Sequence, residues 1–343
     1  MNMTAHILGL VIAYIFGIFI VPLVIDFSRK EGLVDVPNER KIHTKPISRI
    51  GGVAVFSSVM LTFLSLVFLS YYPHRSLLSG VLLGSSLMFL LGLVDDIYNL
   101  NAKTKLFIQI AIATLTYLLG VSISNLPFVG DIGIFSYPVT ILWIVGISNA
   151  LNFIDGVDGL AGTITTLAAV SLSIIAITVP PANPIIALVG FILAGSMLAF
   201  LTYNYNPAKI FMGDSGALFS GFLLATISII GIMKTATITI FVLAPLVLAV
   251  PIMDITFSSL RRIAKGQSPF VADSEHIHHK LIHAGFSQKS TVGILASVAI
   301  VFSLVAMLIL GNRTIRYFVI AITIIGSIMI IMNLIKYYFN NKK

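Results

Sequence analysis

The chain has 343 residues, of which 57% are hydrophobic and 10% charged. Soluble domains, with about a quarter of their residues charged, are thereby excluded. It contains no cysteine, which removes disulfide and thiolate chemistry, and its net charge of +8 needs an account compatible with so apolar a chain. The mean hydropathy is +1.03, and apolar runs of membrane-crossing length recur from one end to the other. An all-α polytopic membrane protein is therefore expected, because a helix satisfies its backbone polar groups without water.

Helices are predicted at roughly 5–27, 51–70, 77–95, 104–120, 137–153, 160–179, 184–203, 215–231, 236–258, 291–311 and 314–338, eleven spans in all. The first run lacks a basic leader and a small-residue cleavage site, so it reads as a retained helix and not as a signal peptide. No polar stretch reaches 35 residues, and a single integral-membrane domain over 1–343 is expected.

Lysines and arginines orient the spans. With the N-terminus outside, the inside segments hold Arg29, Lys30, Arg40, Lys41, Lys45, Arg49, Lys103, Lys105, Lys209, Arg261, Arg262, Lys265, Lys280, Lys289, Lys336, Lys342 and Lys343. The outside loops hold only Arg75, Lys234, Arg313 and Arg316, so the bias is seventeen to four and the C-terminus is expected in the cytoplasm. The net charge is then a topology signal and a match to anionic lipid headgroups, not a nucleic-acid footprint. Carboxylates sort the same way: twelve of thirteen fall on the inside, Asp131 alone outside. The cytoplasmic loops 28–50, 96–103, 154–160, 204–214 and 259–290 are where a site is expected.

Within those loops the polar residues are clustered. Asp95-Asp96 end the third predicted helix. Two adjacent carboxylates repel and titrate as a pair, and at a helix C-terminus they oppose the macrodipole, so a metal or a proton would explain them. Lys105 opens the next helix on the same face, as a phosphate contact or a snorkelling anchor. In Asn149-Ala-Leu-Asn152-Phe-Ile-Asp155-Gly156-Val-Asp158-Gly159, a polar residue every third position gives one helical stripe, which the glycines then break into a loop. Two Asp-Gly pairs could be plain turns. Joined to two asparagines at the end of an apolar helix they read instead as ligand-binding.

Phe211-Met-Gly-Asp214-Ser-Gly216 joins the seventh and eighth helices. Asp214 could cap the eighth helix or ligate a divalent cation. In the longest loop, His276, His278, His279 and His283 lie within eight residues, and His276, His279 and His283 share a face if the segment is helical. Zinc is one reading of such histidines. Contact with a diphosphate, together with Arg261 and Arg262, suits their crowding better. The first loop adds His43, Lys45, Arg49 and Gly51-Gly52. Hard oxygen ligands, a carboxylate pair and many cationic donors are the parts of a Mg²⁺-dependent phosphoryl transfer between a lipid and a nucleotide at a membrane surface.

The ordered set Arg49-Ile-Gly-Gly52, Asp95-Asp96, Asn149 to Gly159, Phe211 to Gly216 and Lys265-Gly-Gln-Ser-Pro-Phe270 with His276-Ile-His-His279 resembles the polyprenyl-phosphate N-acetylhexosamine-1-phosphate transferases over nearly the whole chain. The His-Ile-His-His form is similar to the WecA/TagO-like branch, to which the MraY translocases and the eukaryotic dolichyl-phosphate enzymes are related. The resemblance implies transfer of N-acetylglucosamine 1-phosphate, or a close N-acetylhexosamine relative, from a UDP-sugar to undecaprenyl phosphate. UMP would leave, in the first membrane step of a cell-envelope polysaccharide or teichoic acid pathway at the cytoplasmic face of a bacterial plasma membrane. It implies Mg²⁺, replaceable by Mn²⁺, on Asp214 with Asn152. Asp155 to Asp158 and Phe211 would line the uridine site, with Asn149 and Gly156 counted among the same binding residues. Lys105, His276, His278 and His279 would contact the diphosphate, with His43 and Arg49 joining from the first loop. Asp95 would be the base or the lipid-phosphate contact, with Asp96 beside it. Relatives carry a third acid where this chain has Asn99, so none is expected there. The expected partners are the UDP-N-acetylhexosamine, the polyprenyl phosphate, membrane lipids and a second copy of the chain as a homodimer, with no nucleic acid. An ion-coupled transporter is the alternative, although internal repeats and mid-membrane charges are lacking. The Asp-Gly…Ala-Arg signature of a CDP-alcohol phosphotransferase is missing here.

Overall fold

The computed structural model describes residues 3–35, 46–69, 76–126, 129–179, 182–231, 244–264, 276–310, 316–317 and 319–320. The helices are α1 (Met3–Lys30), α2 (Gly51–Phe68), α3 (Ser76–Tyr98), α4 (Ala102–Leu118), α5 (Ser136–Ile154), α6 (Leu160–Thr178), α7 (Pro184–Asn204), α8 (Gly213–Gly231), α9 (Ala249–Ala264), α10 (Ile277–His283) and α11 (Gln288–Leu310). Among the described residues eight helices are long and apolar enough to cross a membrane, namely α1, α2, α3, α5, α6, α7, α8 and α11. The chain is thus an all-α polytopic membrane protein. Of the other expected spans, α4 has 17 residues, at the short limit for crossing. Of the expected helix at 236–258, residues 244–258 are described and α9 takes up their later part, while that at 314–338 lies largely outside the described residues.

Several helices outrun their apolar stretches. α3 continues to Tyr98 and takes Asp95 and Asp96 into its last turn. α9 runs to Ala264, past the expected end at 258, because its pattern changes from apolar to amphipathic. Phe257, Leu260 and Ile263 are exposed, while Asp254, Ser258 and Arg262 are buried. Arg262 donates to the Ser258 hydroxyl one turn earlier at 2.9 Å, and basic residues suit a helix C-terminus.

α8 is the central element. Every residue from Ser215 to Ile230 is buried, and α2, α3, α5, α6 and α7 all pack on it. Outside this group α1 lies along α7 and α2, and α11 lies along α6. A helix so enclosed offers one place for chemistry, its polar N-terminal end. A two-residue ladder, β1 (Val34–Asp35) with β2 (Ile47–Ser48), leads the chain to that end. The Ser48 carbonyl accepts from Phe211 N–H at 2.7 Å. The first N–H groups of α2, on Gly51 and Gly52, donate to the Phe211 and Met212 carbonyls at 2.9 and 2.8 Å. These glycines dock α2 on the α8 approach and leave no free amides for a phosphate.

α4 and α5 are joined by reciprocal amides. Asn149 donates to Gln109 Oε1 at 2.7 Å and Gln109 donates to Asn149 Oδ1 at 3.2 Å. Such a pair in an apolar setting is favourable only while both members are present. Asn149→Ala and Gln109→Ala should each lower the stability of detergent-solubilised protein by about 1 kcal/mol, with the double variant close to either single one. Additive thermal shifts would show that the two amides act separately.

Candidate active site

A cavity of about 910 Å³ opens at the N-terminal end of α8, lined among others by Arg49, Asp96, Asn99, Asn152, Asp155, Gly156, Asp158, Phe211, Asp214 and His279. The ends of α3 and α5 and the starts of α2, α6 and α8 meet here. Every second connection of the bundle thus contributes, which is how residues more than 180 positions apart become neighbours.

The acid pair at the end of α3 is divided. Asp96 is 4% exposed, and its two oxygens accept from Asp214 N–H at 2.9 Å, Ser215 N–H at 3.0 Å and the Ser215 hydroxyl at 2.6 Å. It therefore caps α8 from another helix and satisfies amides that would otherwise lack partners. Asp96 also borders the cavity, so this anchoring contact and the expected place beside Asp95 belong to one carboxylate. Gly213 makes the approach possible. Its φ of +70° suits glycine, and a Cβ there would meet the Asp96 oxygens at 2.7 and 2.9 Å.

Asp214, released from capping, carries the other interaction. Lys105 Nζ donates to Asp95 Oδ2 at 2.8 Å and also to Asp214 Oδ2. Two unit charges about 4 Å apart interact by about 4 kcal/mol at an effective dielectric of about 20. The shared ammonium offsets the repulsion that Asp95 and Asp214 would otherwise exert on one another. Lys105 thus meets carboxylates here, where the sequence suggested a phosphate contact. Asp155 adds to the acidic group. Desolvation and then the charges of Asp214, Asp96 and Asp158 push its carboxyl well above the ordinary range, against one hydrogen bond from Gly213 N–H. The Asn152 amide nitrogen beside it is buried without a hydrogen-bond partner.

The loop after α7 closes the opposite wall. Asp158 accepts from Asn206 Nδ2 at 3.0 Å and Ala208 N–H at 3.1 Å. Asn206 also donates to Gln288 Oε1 at 2.6 Å, at the start of α11. Asn204 accepts from Gly159 N–H at 3.0 Å and donates to the Ile210 carbonyl at 2.7 Å. Asp158 therefore spends one oxygen on the loop while bordering the cavity. Arg49 reaches Asn99 Oδ1 at 3.4 Å, and Asn99 sits at φ +50°.

The histidines do not use the expected helical face. His276 precedes α10 in an extended conformation, His278 is buried, and His279 lines the cavity. His283 lies on the exposed side. Asp254 on α9 takes His276 Nδ1 at 2.9 Å and Ile277 N–H at 2.7 Å, so the segment is set from α9 and not by its own periodicity. A Cβ on Gly156 would lie 2.6 Å from His278 Nε2, which is why the first Asp-Gly of the motif has no side chain there.

Of the sequence-derived site residues, Arg49, Asp96, Asn152, Asp155, Gly156, Asp158, Phe211, Asp214 and His279 border one cavity. Asp95 and Lys105 join it through Asp214, and His276 and His278 stand behind His279. Asn149 is spent on Gln109 and is absent from the lining. His43 lies outside the described residues. Sequence reasoning passed over Asn204, Asn206, Gln109 and the positioning carboxylate Asp254, although a lone carboxylate between apolar residues was a usable signal.

The profile described as Glycosyl transferase family 4 matches residues 78–232. A "Probable undecaprenyl-phosphate N-acetylglucosaminyl 1-phosphate transferase" of Bacillus subtilis is 34% identical over 94% of this chain and 90% of its own length. A "Decaprenyl-phosphate N-acetylglucosaminephosphotransferase" of Mycobacterium tuberculosis is 31% identical over 76% and 72%. An "Undecaprenyl-phosphate alpha-N-acetylglucosaminyl 1-phosphate transferase" of Yersinia pestis is 29% identical over 91% and 86%.

Burial, then the charges of His279 and His276, hold the His278 imidazole at about 4, with Asp254 opposing. A histidine whose pKa is lowered on folding lends stability that is full above its unfolded value of about 6.5 and is lost as pH falls toward 4. The thermal midpoint of the wild type should fall more steeply than that of His278→Gln between about pH 7 and pH 5, by the same linkage. Parallel slopes would place the neutral imidazole elsewhere.

Proposed function

Because the chain belongs to glycosyl transferase family 4, we propose that it moves N-acetylglucosamine 1-phosphate, or a close N-acetylhexosamine relative, from a UDP-sugar to undecaprenyl phosphate or a similar polyprenyl phosphate. The reaction takes place on the cytoplasmic face of a bacterial plasma membrane. One observation supports this above the rest: Asn152, Asp214 and His279 face a common cavity, with Asp95 tied to Asp214 through Lys105.

The chemistry asks little of reactive side chains. An oxygen of the acceptor phosphate attacks the donor phosphorus that bears the sugar, the bond bridging the two donor phosphates breaks, and UMP carries the electron pair away. The attacking group is already anionic, so the protein must hold two phosphate-bearing substrates in line and counter their repulsion. His279 and Arg49 supply donors at the cavity wall, and Phe211 offers a ring at its rim for the base. Asp95 lies beside Lys105, placed to steer that ammonium or to take a proton from an acceptor that arrives protonated.

The donor set fits Mg²⁺, with Mn²⁺ as a substitute. Among the described residues no three histidines or carboxylates form a preassembled metal cage. Mg²⁺ usually takes only one or two carboxylates and completes its shell with water and substrate phosphates. Asp214 would hold it through a carboxylate oxygen, with the side-chain carbonyl of Asn152, which lines the same cavity, as a second oxygen ligand. When bound, the cation would supply Lewis-acid stabilisation of charge on the transferred phosphate. An ion-coupled transporter would need these charges near mid-membrane, whereas the cavity carboxylates sit at helix ends and connections.

Purified protein should release UMP from UDP-N-acetylglucosamine only when undecaprenyl phosphate and Mg²⁺ are both supplied. Asp214→Ala should lower turnover at least about a hundredfold, the scale of losing one preorganised electrostatic group, while inserting normally. Release without lipid would reject the assignment, and retained activity in Asp214→Ala would remove Asp214 from the metal site. The chain has no cysteine of its own, so single cysteines can report its orientation. In intact cells an impermeant maleimide should label Asp131→Cys and spare Lys103→Cys; the reverse pattern would put the cavity on the other face.

A further inference from the structure

His279 is the histidine that lines the cavity. α10 has seven residues, too few to hold its shape alone. What holds it is Asp254, 2% exposed, on the neighbouring α9. One oxygen accepts from Ile277 N–H at 2.7 Å, the first turn of α10. The other lies 2.9 Å from His276 Nδ1, and an imidazole that donates from Nδ1 to a carboxylate has its tautomer and ring plane set.

From His276 a column of rings continues to the cavity. Phe153 of α5 stacks on one side of His276 at 5.4 Å. His278 stacks near it at 5.7 Å, almost parallel at 6°, and His279 follows His278 at 4.3 Å. Both His276 and His278 are buried, at 6% and 1% exposure. Gly156 closes on His278 from the Asp155–Asp158 loop. Rings packed this tightly transmit a displacement at one end to the other, since interiors have little free volume.

We propose that Asp254 is a positioning residue of the transfer site. It holds the His276 ring and the start of α10 together, and through the ring column it aims His279 at the donor's diphosphate. This rests on the functional reading above for the identity of the ligand, but the geometry of the anchor does not. The role is analogous to the partners that orient metal-bound histidines, whose loss degrades a site without touching the reacting atoms.

The test uses full-length protein in detergent and three variants. Asp254→Asn keeps the shape and one acceptor but loses the charge. His276→Phe keeps the ring column and loses the bond. Asp254→Glu restores the charge on a longer arm. Binding of UDP-N-acetylglucosamine should weaken about tenfold in Asp254→Asn and in His276→Phe, the scale of one charge-assisted hydrogen bond. Asp254→Glu should recover part of the loss. The KM for the lipid acceptor should stay within about twofold of wild type if the effect runs through the donor side alone. In a His279→Ala background Asp254→Asn should add less than about twofold, because the two act as one unit. Additive losses, or equal weakening toward both substrates, would overturn the proposal and leave Asp254 as a general support. Hydrogen exchange gives a readout free of any substrate: the amides of Ile277 to Lys280 should exchange faster in Asp254→Asn, and unchanged protection would equally reject the anchor. Should the wild type fail to bind the nucleotide-sugar while exchange responds as expected, the functional reading falls and the anchor stands.

Discussion

The cap that Asp96 places on α8 is the constraint from which the site follows. α8 is sheathed by five other helices, and of the residues that open it Asp214 is half-buried and Ser215 buried. An unsatisfied buried N–H costs about 1–3 kcal/mol, so the helix start needs acceptors. They come from the end of α3 and not from the helix's own side chain. Asp214 is thereby left with its carboxylate facing Lys105 and the cavity instead of turned back on its own backbone. The positive φ at Gly213 permits this crossing, and the same crossing pins α3 against α8 so that Asp95 lands beside Lys105.

The carboxylates divide into two kinds of work. Asp96, Asp158 and Asp254 each accept a backbone N–H from a distant segment, on α8, on the loop after α7 and on α10 respectively. Asp95 and Asp214 share one ammonium, and Asp155 stands close enough to Asp214 for their charges to interact. A buried charge without a partner is expensive. The first group therefore makes a rigid frame from charges already satisfied by dipoles, and the second concentrates negative potential where a cation is useful. Neither group works without the other, because ordering the acidic cluster requires helix ends that do not move.

Much of this frame was invisible to residue patterns because it depends on pairings across long separations. Asn149 reads as part of the binding stripe by its spacing, yet the stripe rotates as it descends the helix, and Asn149 emerges against Gln109 of α4. His276, His279 and His283 share a face on paper. The chain begins its helix one residue later than that argument needs, since Asp254 claims His276 first. Asp95 and Asp96 look equivalent in sequence, but neighbouring positions on a helix point about 100° apart, and the two carboxylates meet different elements.

The sequence by itself determined the class of the fold and the gathering of acids, histidines and glycine-marked turns at one end of the bundle. These follow from hydropathy, charge and turn chemistry, which are local properties. Which acid anchors and which faces the cavity was decided only by tertiary structure. A carboxylate's role is set by the donor it meets, and here each of those donors lies on a different helix or loop, brought within 3 Å or so by packing that no local pattern records.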